Sequence, residues 1–145
     1  MSANSRFAVS VHILAYLAYE HARAVPSAEI ASSVDTNPVV IRRLLSALVK
    51  NQLVEAYKGA AGGFRLARPA NAISLLDIYR AVEPAPSHGM NRFTPNHRCP
   101  VGAKIEEVLL GVFSKAQAGM EAELLRVRLS DVERQLHAVC PGRRT

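Results

Sequence analysis

Residues 27–68 read SAEIASSVDTNPVVIRRLLSALVKNQLVEAYKGAAGGFRLAR. Pro26 stops whatever precedes this stretch, and Ser27 is placed to cap a short helix through about Val34. Asp35-Thr36-Asn37 reads as a turn. Asn37 suits an N-cap, and Pro38 suits the first helical position because its missing N–H has no helical partner there in any case. From Pro38 to about Lys50, Ile41, Leu44, Leu45 and Leu48 fall on one apolar stripe, and Arg42, Arg43, Ser46 and Lys50 lie mostly off it. Two strand-length runs follow, Leu53–Tyr57 and Phe64–Ala67, joined by Lys58-Gly59-Ala60-Ala61-Gly62-Gly63. The three glycines of that loop permit positive φ and close approach to another backbone. A hairpin that binds nothing reads the same way in isolation; its place after two short helices is what makes it informative.

Charge singles out the same stretch. Six Arg or Lys residues lie within it, opposed by Glu29, Asp35 and Glu55. The whole chain carries +6, which favours a polyanionic partner, although an ordinary solvated surface is the plainer alternative. Helix-turn-helix, basic surface and flexible loop together are the usual equipment for gripping duplex DNA.

Outside that unit, Ser5–Glu20 sets Phe7, Val11, Leu14, Ala15 and Ala18 at helical spacing. Ser74-Leu75-Leu76-Asp77 has capping-box spacing and opens a helix to about Val82. Glu83–Pro100 holds four prolines and reads as an irregular connector. From about Val101, the residues Ile105, Leu109, Val112, Ala116, Met120, Leu124 and Val127 recur at steps of three or four. A helix of ~25 residues spans roughly 38 Å, more than a small domain covers. Its apolar stripe packs either against a second copy or back onto the same chain. Ser130-Asp131-Val132-Glu133 repeats the capping-box spacing and starts a final short helix, and Cys140–Thr145 reads as a loose basic tail.

At 145 residues, with nearly half of them apolar, the chain supports one packed domain and an accessory helix. No apolar run approaches the roughly 20 residues that cross a bilayer, and the amino terminus lacks a secretory pattern. Two cysteines make no disulfide framework, so a cytoplasmic, reducing location is expected. No nucleophile elbow, metal-binding helix or phosphate loop is present, which leaves an enzyme without support.

In the major groove, the second helix would present Arg42 and Arg43 to base edges, where a guanidinium fork fits guanine; either residue fits a phosphate as well. Asn37 and the helix amino terminus would accept a phosphate through free N–H groups. Val39 and Val40 are the apolar candidates for a thymine methyl. Lys58 and Arg65 would supply charge at the hairpin tip, and Lys50 and Arg68 either contact phosphates or only solubilise.

The same residues carry a family resemblance. The helix-turn-helix ending in Leu53-Val54, the run Lys58-Gly59-Ala60-Ala61-Gly62-Gly63-Phe64-Arg65-Leu66, and Ile73-Ser74-Leu75-Leu76-Asp77-Ile78 resemble the winged-helix regulators of the Rrf2 family. The resemblance implies a mainly α fold with a small β wing. A winged helix-turn-helix domain would occupy 1–82 and the connector 83–100. Residues 101–145 would hold a long dimerisation helix, the short final helix and the tail. It also implies a dimeric transcription factor, commonly a repressor, on a near-palindromic operator. Positions matching Val39, Arg42 and Arg43 face base edges in such proteins, and the position matching Lys58 enters the minor groove. Arg42 and Arg43 depart from the acidic and amide residues of the family's iron–sulfur repressor, so a different operator is expected.

Iron–sulfur members carry three close cysteines in the connector, where this chain has Cys99 alone, so neither a cluster nor another metal cofactor is expected. Asn96-His97-Arg98-Cys99-Pro100-Val101-Gly102 resembles a cluster-free branch, some of whose members sense oxidants or nitric oxide through a thiol. Cys99 follows Arg98 and precedes a helix, and both favour the thiolate. Oxidation would give a sulfenic acid, or a disulfide with Cys140 or across a dimer. An inert cysteine at a helix start reads equally well. A winged-helix module that binds another protein remains the alternative to a DNA-binding regulator controlled by an oxidant or small-molecule effector.

Overall fold

The computed structural model describes residues 3–83 and 94–140. Six helices, α1 (Ala3–Tyr19), α2 (Ser27–Val34), α3 (Pro38–Lys50), α4 (Leu75–Val82), α5 (Pro100–Arg126) and α6 (Leu129–Val139), accompany one hairpin, β1 (Val54–Tyr57) and β2 (Gly63–Leu66). The architecture is mainly helical with a small β wing, as expected.

The core forms where the helical stripes meet. Ile13, Leu14 and Leu17 of α1, Ile30 of α2, and Ile41, Leu45 and Leu48 of α3 are almost fully buried together. Each such side chain contributes about 1.5–3 kcal/mol relative to exposure. The turn between α2 and α3 closes on Asp35, whose φ of 57° is left-handed and whose N–H reaches the Ala31 carbonyl. Aspartate is among the few non-glycine residues that visit this conformation at modest cost. α3 begins on Asn37, whose side chain accepts from the Val39 N–H at 2.9 Å.

The wing is fastened to this core at two places. Leu53 and Val54 are buried at its root. Phe64 and Val25 then exchange both backbone hydrogen bonds, at 2.8 and 2.9 Å. Gly63 makes the second contact possible: its φ is +146°, and a Cβ there would lie 2.5 Å from the Val25 carbonyl. β1 begins one residue later than the sequence suggests, and β2 both begins and ends one residue earlier, with Gly63 pairing with Tyr57 at the outer end and a single Ala67–Leu53 backbone bond at the root.

Three caps differ from expectation or match it for clear reasons. Ser27 is the first residue of α2 and does not cap it; the cap position is Pro26, which makes no side-chain bond. Ser74 and Asp77 do form the expected reciprocal box, each bond being 3.0 Å. Ser130 does not open the final helix. Arg128 does, with its N–H held by the Asp131 carboxylate at 2.8 Å.

α6 was grouped with the long helix by sequence, yet it packs on α1. The Leu129 N–H donates to the Ile73 carbonyl and its side chain is fully buried in the core. α5 behaves differently. It leans on α4, with Arg80 reaching Glu121 at 3.3 Å, and none of its residues is buried. The expected stripe is divided: Ile105, Leu109 and Leu124 are half covered, whereas Val108, Val112 and Met120 stand open.

Candidate nucleic-acid interface

α3 turns one stripe inward and leaves the other bare. Successive residues rotate by about 100° around a helix, so Val39, Arg42, Arg43, Ser46 and Lys50 share one outward face. The first four line a single shallow depression. Ser46 was not singled out from sequence, although its spacing of four from Arg42 and three from Arg43 was the available signal. Lys50 lies about 12 Å further along the axis from Arg42, at the opposite end from the helix start.

Val39 is 52% exposed, while Val40 is half-buried and packs against the core. Of the two valines, Val39 therefore presents the larger methyl surface outward. The helix start also differs from expectation. Pro38 has no N–H, Val39 donates to the Asn37 side chain, and Val40 and Ile41 donate to the Asn37 carbonyl. Of the backbone N–H groups at the helix start, that of Asn37 itself is the one left for a phosphate. The Asn37 side-chain amide, whose oxygen is committed, still offers its N–H pair.

Lys58 stands exposed at the wing tip. Arg65 does not. It pairs across the hairpin with Glu55, two steps in from the Tyr57–Gly63 end, and its guanidinium donates to the His21 carbonyl at 2.9 Å. Arg65 sits at the wing root and ties it to the end of α1. Arg68 likewise turns inward, toward the Ala72 carbonyl at 3.4 Å and Asp77 at 4.0 Å.

The cations of the interface are unpaired, as are Arg98 and Lys115 among the described residues, whereas most other arginines are engaged. Among the described residues, Arg42, Arg43, Lys50 and Lys58 have neither an ion pair nor a side-chain hydrogen bond. Arg23, by contrast, holds both Glu20 and Glu29. Glu29 also accepts from the Tyr16 hydroxyl at 2.7 Å. The Arg23 and Tyr16 bonds hold the Glu29 carboxyl down at about 2, and the carboxylate in return pushes the Tyr16 hydroxyl up to about 12. That cluster locks the end of α1 to α2. Unpaired cations on one face are what a polyanion can use.

Cys99 is exposed at the cap position of α5, and the N–H groups of Gly102 and Val101 hold its thiol below the ordinary value. Cys140 is exposed at the far end of α6. α5 extends about 40 Å and α6 only about 17 Å, which leaves the two Cα atoms at least about 12 Å apart. A disulfide needs no more than about 7 Å, so the intrachain bridge considered from sequence does not fit this arrangement. The donor set for an iron–sulfur cluster does not fit either. Among the described residues no three His, Cys, Asp or Glu converge, and the chain has two distant cysteines where a cluster wants four ligands. Among the described residues, no helix is long and apolar enough to cross a membrane.

The sequence pattern of the Rrf2 family, described as an iron-dependent transcriptional regulator, matches residues 3–135. YwnA of Bacillus subtilis (strain 168), named as an HTH-type transcriptional regulator, is 41% identical over 133 residues, 92% of this chain and 98% of that protein. The HTH-type transcriptional regulator IscR of Cereibacter sphaeroides is 27% identical over 98% of this chain and 92% of its own. A crystal structure of a transcriptional regulator from Lactobacillus plantarum superposes with a TM-score of 0.80 at 30% identity, covering 91% of this chain and 89% of that one.

Proposed function

This chain belongs to the Rrf2 family of DNA-binding transcriptional regulators, and from that premise we propose that it is a cytoplasmic homodimeric repressor of a near-palindromic operator, controlled through Cys99. The outward face of α3 carries the proposal: its cations are unpaired while the opposite stripe is sealed in the core. The amino-terminal half of α3 enters the major groove. Arg42 or Arg43 forks onto the O6 and N7 acceptors of guanine, and Val39 meets a thymine methyl. The Asn37 amide and Lys50 take flanking phosphates, and Lys58 carries the wing tip into the minor groove. Val40 and Arg65 hold α3 and the wing in place from behind. The residue blocks 1–82, 83–100 and 101–145 then serve as reading head, connector and dimer element, with α6 returning to brace the head.

The open apolar side of α5 is met by a second copy. Val108 and Val112 are 59% and 55% exposed on a helix without a single buried residue. A two-fold axis along such helices spaces two α3 elements for successive turns of one duplex. For control, the Cys99 thiolate attacks a hydroperoxide; an S–O bond forms, the O–O bond breaks, and the leaving oxygen takes a proton. The resulting sulfenic acid condenses with Cys99 of the partner subunit and releases water, or stays as such; a nitrosating agent acts on the same sulfur. Either outcome shifts α5 and the separation of the α3 pair. The test is operator affinity before and after mild peroxide, in the wild type and in Cys99→Ser. Loss of binding in the wild type alone is expected, and equal loss in both would overturn the control proposed for Cys99.

A further inference from the structure

Behind the wing lies a cavity of about 500 Å³, within the size range of small-molecule sites. Arg65 of β2, Arg68 just after it and Tyr57 of β1 contribute to the wall, with Leu17 and Leu66 in the lining and Glu133 of α6 as its one acidic residue. We propose that this cavity binds a small organic anion, a carboxylate on a short apolar body, through Arg65 and Arg68. The inference goes beyond the operator and Cys99 and depends on neither.

The charge balance is the first argument. Arg23 also borders the cavity, but Glu20 and Glu29 already neutralise it. Arg65 spends one N–H on the His21 carbonyl and keeps the rest of its fork. Arg68 leans on Asp77 at 4.0 Å and on the Ala72 carbonyl at 3.4 Å through Nη1, and its side chain is 40% exposed, which leaves Nη2 to an incoming oxygen. A guanidinium with uncommitted N–H groups at an accessible surface favours an anionic oxygen as acceptor. The lining is the second argument. Leu17, Leu66 and the Tyr57 ring give an apolar wall that bare phosphate leaves unused and a hydrocarbon body covers. An occupant would touch both the wing and the end of α1, the two parts whose relation sets how the wing meets a duplex.

Calorimetric titration of the full reduced chain with hexanoate, benzoate, acetate and inorganic phosphate tests the site. Hexanoate or benzoate is expected to bind about tenfold or more tightly than acetate or phosphate, because those two lack the apolar body. Arg68→Gln is expected to weaken that binding about tenfold or more by removing charge-assisted bonds. Ala67→Leu, which narrows the cavity and leaves every charge in place, should do the same, with circular dichroism showing that each variant is folded. Failure of all four probes at millimolar concentration overturns the proposal. So does phosphate binding as tightly as hexanoate, or undiminished binding by both folded variants.

Discussion

α3 and α5 are both amphipathic helices, yet the chain completes one and leaves the other unfinished. α3 has 13 residues, four of them buried, and every apolar position of its inward stripe has a partner within the same chain. α5 has 27 residues and buries none, while Val108, Val112 and Met120 face outward. The exposed side of α3 is cationic and suits a polyanion. The exposed side of α5 is apolar and suits another apolar surface. One chain therefore shows two unmet surfaces of opposite chemistry, and in the proposed dimer covering the second sets the spacing of the first.

The largest way to break that comparison is to charge α5. Val108→Glu with Val112→Glu places two carboxylates on each side of the proposed seam, where four would face one another. Sedimentation should then give a monomer with an intact helical spectrum, and operator affinity should fall by more than a hundredfold, since each half-site alone contributes only part of the contacts. A dimer that survives both changes would mean that α5 is not the seam.

Cutting into the completed helix comes next. Leu48→Ala empties a fully buried position of α3 and should cost about 2–5 kcal/mol in denaturant unfolding. The corresponding truncation of exposed Met120 should cost far less in the monomeric state of the charged variant. Equal losses would erase the distinction between the two helices.

The cationic side is sharpened by smaller effects. Arg42→Ala or Arg43→Ala should relax preference at one base pair by about 1–3 kcal/mol if that residue reads guanine. Lys58→Ala should instead weaken binding to all duplexes and reduce the salt slope by about one. Competition against single-base operator variants, repeated at several salt concentrations, separates the two behaviours. The smallest effect belongs to the cluster behind the wing. The Glu29 carboxyl is held at about 2, below its usual 4.5. Its contribution is therefore complete above pH 4.5 and disappears as pH falls through about 2. Glu29→Gln should melt slightly earlier than the wild type at pH 7, and the two melting curves should converge at the acid end.

Local chemistry made much of this legible in the sequence. The 3–4 spacing of Ile41, Leu44, Leu45 and Leu48 gave α3 its inward face, and Asn37-Pro38 its start. The Ser74–Asp77 box was legible because both partners lie within one turn. What escaped was set by distant contacts. Arg65 reads as a tip residue until the His21 carbonyl, 44 positions away, is seen to hold it. Val40 looks equivalent to Val39 until the core takes it. Ser130 resembles a cap, but pairing of Ser74 with Arg128 moves the start of α6 upstream. The stripe of α5 was visible in the sequence, whereas its division into sheltered and open sides depends on where α4 lies.

A hydroxyl-radical footprint on a genomic fragment selected by the reduced protein tests the pairing of two α3 helices most directly. Two protected patches of equal strength, related by a two-fold axis and centred one helical turn or a whole multiple apart, about 34 Å per turn, are predicted. A single asymmetric patch, or protection that persists unchanged in the charged α5 variant, would contradict it.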